Sequence, residues 1–127
     1  IGFHSVSIDP AKSACLSALQ AGRYARPAVP LVSVAGASTV QQLENSHFWD
    51  VIRKPMEFKK TLAYLENQGK FIYIDVGPSG TLAGFVKQIL AKDSRSRSLP
   101  VLTPFGRDLH NLRGVRQYVQ GNGKEMN

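Results

Sequence analysis

The sequence predicts an α/β fold: a short, mostly parallel sheet flanked by helices. Three observations predict it. β-rich apolar runs alternate with stretches of helical period along the chain. The run Phe71-Ile72-Tyr73-Ile74-Asp75-Val76 is nearly all apolar, the pattern of a strand covered on both faces in a parallel sheet. The 127 residues, 43% hydrophobic and 20% charged, amount to one domain, able to bury roughly two-thirds of its unfolded surface without staples.

Taken in order, Asp9-Pro10 has the form of an N-cap followed by proline at the first helical position, opening a helix to about Ala21 that Gly22 stops. Pro27 and Pro30 lead into the β-rich run Leu31–Ala35, bounded by Gly36. Ser38 and Gln41 have capping-box spacing, which predicts a helix from Val40 to Trp49 or Ile52. Pro55 ends it and starts another, Met56 to Asn67, with Phe58, Leu62 and Leu65 on one face. Gly69 closes that helix. The strand Phe71–Val76 follows, then a Gly77-Pro78-Ser79-Gly80 turn and a helix from Thr81 to Leu90. Lys92 to Ser98 is polar and of low complexity, the mark of a flexible loop. A last short strand is expected at Leu99–Leu102, a terminal helix at Asp108–Val119, and a frayed tail over 121–127.

Composition excludes several classes. The single Cys15 leaves no internal disulfide. Nothing approaches the roughly 18 apolar residues of a membrane span, and no signal-peptide pattern opens the chain. A soluble, cytoplasmic protein is expected. The chain begins at Ile1 in an apolar group, which suggests the back part of a larger protein. The net charge of +7 is uneven: from Lys87 onward eight basic residues face three acidic ones. Such a surface suits phosphate-bearing or acidic partners, or simply keeps the protein in solution. Phe85, Phe105 and Tyr118 are not interleaved with the arginines, so nucleic acid is not the expected partner.

Few residues declare chemistry by themselves. His4, His47, His110 and Cys15 have no metal-ligand spacing, and no metal is expected. Gly77-Pro78-Ser79-Gly80 lacks the lysine of a P-loop and the spacing of a dinucleotide fingerprint. It lies at the C-terminal end of a strand, where open α/β sheets collect ligands. No Gly-x-Ser-x-Gly elbow occurs. His4 is either functional or a capping histidine, and Asp75 either a functional carboxylate or a cap for the loop after it.

The order of the pieces is more specific. Ile1-Gly2-Phe3-His4-Ser5 precedes Ile8-Asp9-Pro10, then Pro30-Leu31-Val32-Ser33-Val34. Phe48-Trp49 leads to Ile52-Arg53-Lys54-Pro55-Met56-Glu57-Phe58, and Asp75-Val76-Gly77-Pro78 with Leu82 comes last. This succession resembles the C-terminal part of the malonyl-CoA:acyl carrier protein transacylases and of polyketide synthase acyltransferase domains. Asp75 stands where that family usually has glutamate. The resemblance covers about residues 1–90 directly, with Leu99–Leu112 similar to the family's ending. It implies that residues 1–120 are the C-terminal portion of the hydrolase-like large subdomain.

The resemblance also implies a role for each matched residue. His4 corresponds to the catalytic histidine, the general base for an acyl-serine formed from malonyl-CoA and passed to the phosphopantetheine thiol of an acyl carrier protein. A backbone carbonyl near Val51, in the Trp49–Arg53 segment, would orient the imidazole. Ile1, Gly2 and Phe3 correspond to the selectivity tetrapeptide; Phe3 matches the malonyl type and Ile1 matches neither type. The coenzyme A thioester is a substrate, and no bound cofactor is implied. The nucleophilic serine and the small ferredoxin-like subdomain belong upstream, so the N-terminal part of the same acyltransferase is a required partner and this chain alone is expected to be inactive. By charge alone, Arg95, Arg97, Arg107 and Arg113 are candidate contacts for an acidic carrier or for coenzyme A phosphates. The competing readings are an acyl hydrolase on the same scaffold, clearing carrier proteins, and a non-enzymatic basic binding module.

Overall fold

The computed structural model describes residues 2–122, which fall into two compact units, one up to Tyr64 and one from Leu65. In the first unit a 3₁₀ segment, Val6–Ala11, runs into helix α1, Lys12–Leu19. Strands β1, Leu31–Ser33, and β2, Ser38–Val40, form an antiparallel hairpin with Ser33 opposite Ser38. Helix α2, Asn45–Arg53, packs on α1. Helix α3, Phe58–Glu66, follows. Ile8, Trp49 and Leu62 are buried here. The Glu57 amide bonds to the Val34 carbonyl at 2.8 Å, and the Thr39 and Tyr64 hydroxyls meet at 2.9 Å, so hairpin and helix are tied by hydrogen bonds as well as by packing.

The second unit is a βαβ arrangement. Strand β3, Ile72–Asp75, pairs in parallel with β4, Arg97–Pro100, in the register Ile72 to Arg97 through Asp75 to Pro100. Helix α4, Thr81–Ile89, connects them and buries Ala83 and Val86 against both strands. Helix α5, Asp108–Asn122, buries Val115, and its Asn111 amide donates to the Val101 carbonyl at 3.1 Å, holding the first turn beside the end of β4.

Several boundaries differ from the sequence expectation, each for a physical reason. Asp9 does not cap α1. The turn starts earlier, with the Ser5 hydroxyl accepting from the Ser7 amide, and the Asp9 carboxylate is drawn to Arg53. Pro10 therefore sits inside the 3₁₀ segment. Ser38 opens a strand, not a helix: Ala37, at φ 48°, turns the chain back so that the β-branched Thr39 and Val40 pair with Val32 and Leu31. The serine-rich stretch is not a loose loop throughout. Ser96 and Ser98 are buried, and the Ser98 hydroxyl donates to the Ala83 carbonyl at 3.0 Å, so β4 begins at Arg97, two residues early. Helix α5 reaches Asn122, past the expected end of the helix and into the segment read as a tail; the rest of that segment, 123–127, lies outside the described residues.

Candidate active site

His4 lies half-buried on a strap just ahead of the 3₁₀ segment, in the left-handed region at φ 58°. A non-glycine residue there carries strain on the order of 1–3 kcal/mol, and the surroundings must fix it. They do so twice. The His4 amide donates to the Ile52 carbonyl at 2.8 Å, and its Nδ1 lies 2.9 Å from the Lys54 carbonyl. The strap thereby caps the C-terminal end of α2, where helix carbonyls have no intrahelical donors.

Pro55 makes those carbonyls available. The residue before a proline is sterically driven out of helical conformation. Lys54 is accordingly extended, at φ −77° and ψ 151°, which turns its carbonyl out of the helix. The chemistry at the ring follows from that partner. A carbonyl oxygen only accepts, so Nδ1 carries the proton, and in the neutral imidazole Nε2 presents a lone pair. An imidazole held in that tautomer can act as a general base.

The carbonyl expected at the ring near Val51 is not found there: the one that meets Nδ1 belongs to Lys54. Val51 is inside α2, whereas Lys54 lies beyond the helix end and is free to reach back. Sequence reasoning missed this, although Lys54-Pro55 held the signal. It also missed that Arg53 grips Asp9 through two parallel bonds, Nε to Oδ1 at 2.5 Å and Nη2 to Oδ2 at 3.2 Å.

Of the three residues expected to set selectivity, Gly2 and Phe3 directly precede His4 in the strap and Ile1 lies outside the described residues. The Phe3 side chain is 60% exposed. The Gly2 carbonyl accepts from the Ser5 hydroxyl at 2.6 Å, and a Cβ at Gly2 would come within 2.8 Å of that hydroxyl. A side chain there would displace Ser5 from its bond.

The four arginines do not gather. Arg95 and Arg97 sit at the start of β4, and Arg97 donates to the Ser94 and Ser96 carbonyls. Arg107 and Arg113 follow the strand's other end, Arg107 at φ 67° just before α5 and Arg113 on it. An open cleft of about 310 Å³ beside Arg97 is lined by Lys87, Lys92 and Ser94. The carboxylate of Glu66 and the C-terminal carbonyls of α4 lie close to it, offsetting the cations.

Glu66 is the centre of a polar cluster that no motif announced. Its Oε1 accepts from Tyr73 and Ser96 at 2.7 Å, and its Oε2 from Ser94 at 2.8 Å. Burial acts to raise its pKa, but the three hydroxyl donors outweigh burial and hold it below 4.5. Burial, then the Glu66 carboxylate, raise the Tyr73 phenol above its ordinary 10.0. The signs give two edges. Glu66, lowered on folding, contributes stability above about pH 4.5 that is lost as pH falls through its folded value. Tyr73, raised on folding, contributes stability below about pH 10 that is lost above it. Urea unfolding against pH is expected to show a plateau between those edges, and Glu66→Gln to flatten the acid side.

Asp75 is settled as a cap. It is 8% exposed; its Oδ1 accepts from the Gly77 amide at 2.8 Å and its Oδ2 from the Ala83 amide at 2.9 Å. Among the described residues no group of three His, Cys, Asp or Glu side chains forms a metal site, and no helix is long and apolar enough to cross a membrane.

No protein-family model matches the chain. It is 42% identical over 116 residues to the polyketide biosynthesis acyltransferase homolog PksD of Bacillus subtilis, covering 91% of this chain and 36% of that protein. It is 35% identical over 118 residues to the homolog BaeD of Bacillus velezensis, covering 93% of this chain and 36% of that protein. The chain thus spans about a third of the length of these relatives. Its fold is similar to a crystal structure of the acyltransferase domain from the second module of the salinomycin polyketide synthase. The TM-score is 0.79 at 22% identity, over 88% of this chain and 26% of the other.

Proposed function

Because this chain is homologous to the polyketide biosynthesis acyltransferases over about a third of their length, we propose that it carries the general base of an acyl transfer, with His4 as that base. The observation that carries the reading is the bond from His4 Nδ1–H to the Lys54 carbonyl, which leaves Nε2 as the acceptor. The nucleophile is a serine in the N-terminal part of the same enzyme. Its hydroxyl is too weak alone and needs a neutral imidazole within hydrogen-bond reach.

Transfer then runs in two half-reactions through that nitrogen. The serine O–H gives its proton to Nε2 while its oxygen attacks the thioester carbonyl of malonyl-CoA. The C–S bond breaks, and the coenzyme A sulfur takes the proton from the imidazolium. In the second half the carrier's phosphopantetheine thiol gives its proton to Nε2 and attacks the acyl-serine. The serine oxygen leaves and is reprotonated. Every proton returns through one nitrogen, so no resident cofactor is required. Arg95, Arg97, Arg107 and Arg113 are proposed contacts for the acidic carrier or coenzyme A phosphates, in two separate pairs.

Malonyl as the acyl group rests on Phe3, the residue before His4, a bulky ring at that position being expected to crowd an α-methyl substituent. Steric selection of this size is modest, about 10–200-fold. In the full-length protein, Phe3→Ser is expected to raise methylmalonyl over malonyl loading by about tenfold, measured by competition between the two thioesters. An unchanged ratio would remove Phe3 from selectivity. The function itself is tested by intact mass spectrometry of the full-length protein after brief exposure to malonyl-CoA. A stable adduct that moves to the carrier supports transfer; an adduct that water removes without a carrier supports the hydrolase instead.

A further inference from the structure

The acyl-transfer reading accounts for the Lys54 carbonyl but leaves Asp9 and Arg53 unused. Arg53 is the last residue of α2 and immediately precedes the residue whose carbonyl holds the His4 ring. Asp9 lies in the 3₁₀ segment that continues the His4 strap. Their bond joins residues 44 apart in sequence, fork to fork, Nε to Oδ1 and Nη2 to Oδ2. It therefore bridges the same two segments as the His4 contacts do, beyond His4 on the strap and between Ile52 and Lys54 at the helix end.

Resting on the function proposed above, we propose that Asp9 and Arg53 are a positioning pair: they lock the strap to the end of α2 and so fix the tautomer and aim of the His4 imidazole. The pair differs from a merely stabilising ion pair in exposure and in what it holds. The Asp9 side chain is 50% exposed and that of Arg53 26%, and ion pairs open to water contribute little stability, so strength is not what the geometry supplies. A bidentate guanidinium–carboxylate pair does fix orientation. What it orients is under strain: His4 is held at φ 58° by one amide bond and one ring bond, and a strap free to relax would lose both together. Lys54 has its own partner, its Nζ lying 2.6 Å from Asp50, which leaves Asp9 to Arg53.

The test uses full-length protein in four forms: wild type, Arg53→Met, Arg53→Lys, and the exchanged double variant Asp9→Arg/Arg53→Asp. Three quantities are read: the single-turnover rate of acylation by malonyl-CoA, the thermal midpoint, and the tautomer of His4 from ¹⁵N imidazole shifts. Arg53→Met is expected to slow acylation about 10–100-fold, the scale of a misplaced catalytic group. Its midpoint should stay within a few degrees, and its His4 should show mixed tautomers. Arg53→Lys keeps the charge without the fork and should recover only part of the rate. The exchanged pair should recover more than Arg53→Met. A native tautomer and native rate in Arg53→Met overturn the proposal. So does a rate lost in step with the midpoint and not recovered by exchange, which would mark a structural contact. If wild type takes up no acyl group the transfer reading fails by itself, and the tautomer readout then decides the role of the pair.

Discussion

Replacing His4 with asparagine in the full-length protein is expected to slow formation of the acyl-serine by about 10²–10⁴-fold, the usual contribution of a positioned general base. Asparagine is the informative substitution. His4 sits at φ 58°, where asparagine is among the best-tolerated residues other than glycine. Its amide N–H can also donate toward the Lys54 carbonyl that now takes Nδ1. The strap should keep its shape while losing the Nε2 that is proposed to accept the proton. His4→Ala removes the base and the ring bond together, so it should be equally slow and somewhat less stable. The check is adduct mass against time under malonyl-CoA, with transfer to the carrier followed separately. In the proposed mechanism both half-reactions pass the proton through the same nitrogen, so both should slow. Near-normal acylation in His4→Asn would remove His4 from the mechanism, whatever its geometry.

Sequence and structure agree where the controlling interaction is local or periodic. The apolar run Phe71–Val76 reads as a strand, and Ile72–Asp75 forms β3 with a parallel partner. The expected cover on both faces is not met, since Ile74 is 44% exposed and Val76 lies exposed beyond the strand end. The helices at Phe58 and Thr81 follow from apolar spacing within each segment. Disagreement appears where distant residues decide. Ser96 looks like loop until Glu66, 30 residues away, is seen to accept its hydroxyl. Ser38 with Gln41 satisfies a capping pattern, yet pairing of Thr39 and Val40 across the hairpin wins over it.

The candidate site was legible in the same uneven way. His4 could be placed because four motifs kept their order, not because any one compelled it. The carbonyl that meets its ring, that of Lys54, lies three residues beyond the expected Val51. The governing fact was present in the dipeptide Lys54-Pro55: proline frees the carbonyls at the end of α2, and its neighbour is turned outward to meet the ring. The Asp9–Arg53 bond could not be read, because opposite charges 44 residues apart give no signal before the strap is laid against the helix.

The largest stability effect is expected at Asp75. This buried carboxylate reaches from the end of β3 to two amides, Gly77 in the turn and Ala83 in the first turn of α4. The residue at the N-cap position of α4 is Gly80, at φ 64°, with no side chain to offer, and a Cβ there would approach Pro100 to 3.0 Å. Backbone geometry thus excludes a conventional cap, and Asp75 supplies one from the neighbouring strand. Loss of the acceptor from two amides, that of Ala83 buried and that of Gly77 half-buried, should cost about 2–4 kcal/mol in Asp75→Ala. Asp75→Asn should be nearly as costly, because its single carbonyl serves one amide while its NH₂ faces the other donor. Asp75→Glu keeps the charge but adds a methylene in a closed turn, and should fall between them and wild type. Chemical denaturation of the three variants checks the order. A small loss in Asp75→Asn would mean that one bond suffices, and that the β3–α4 junction is held mainly by the packing of Ala83 and Val86 rather than by the carboxylate.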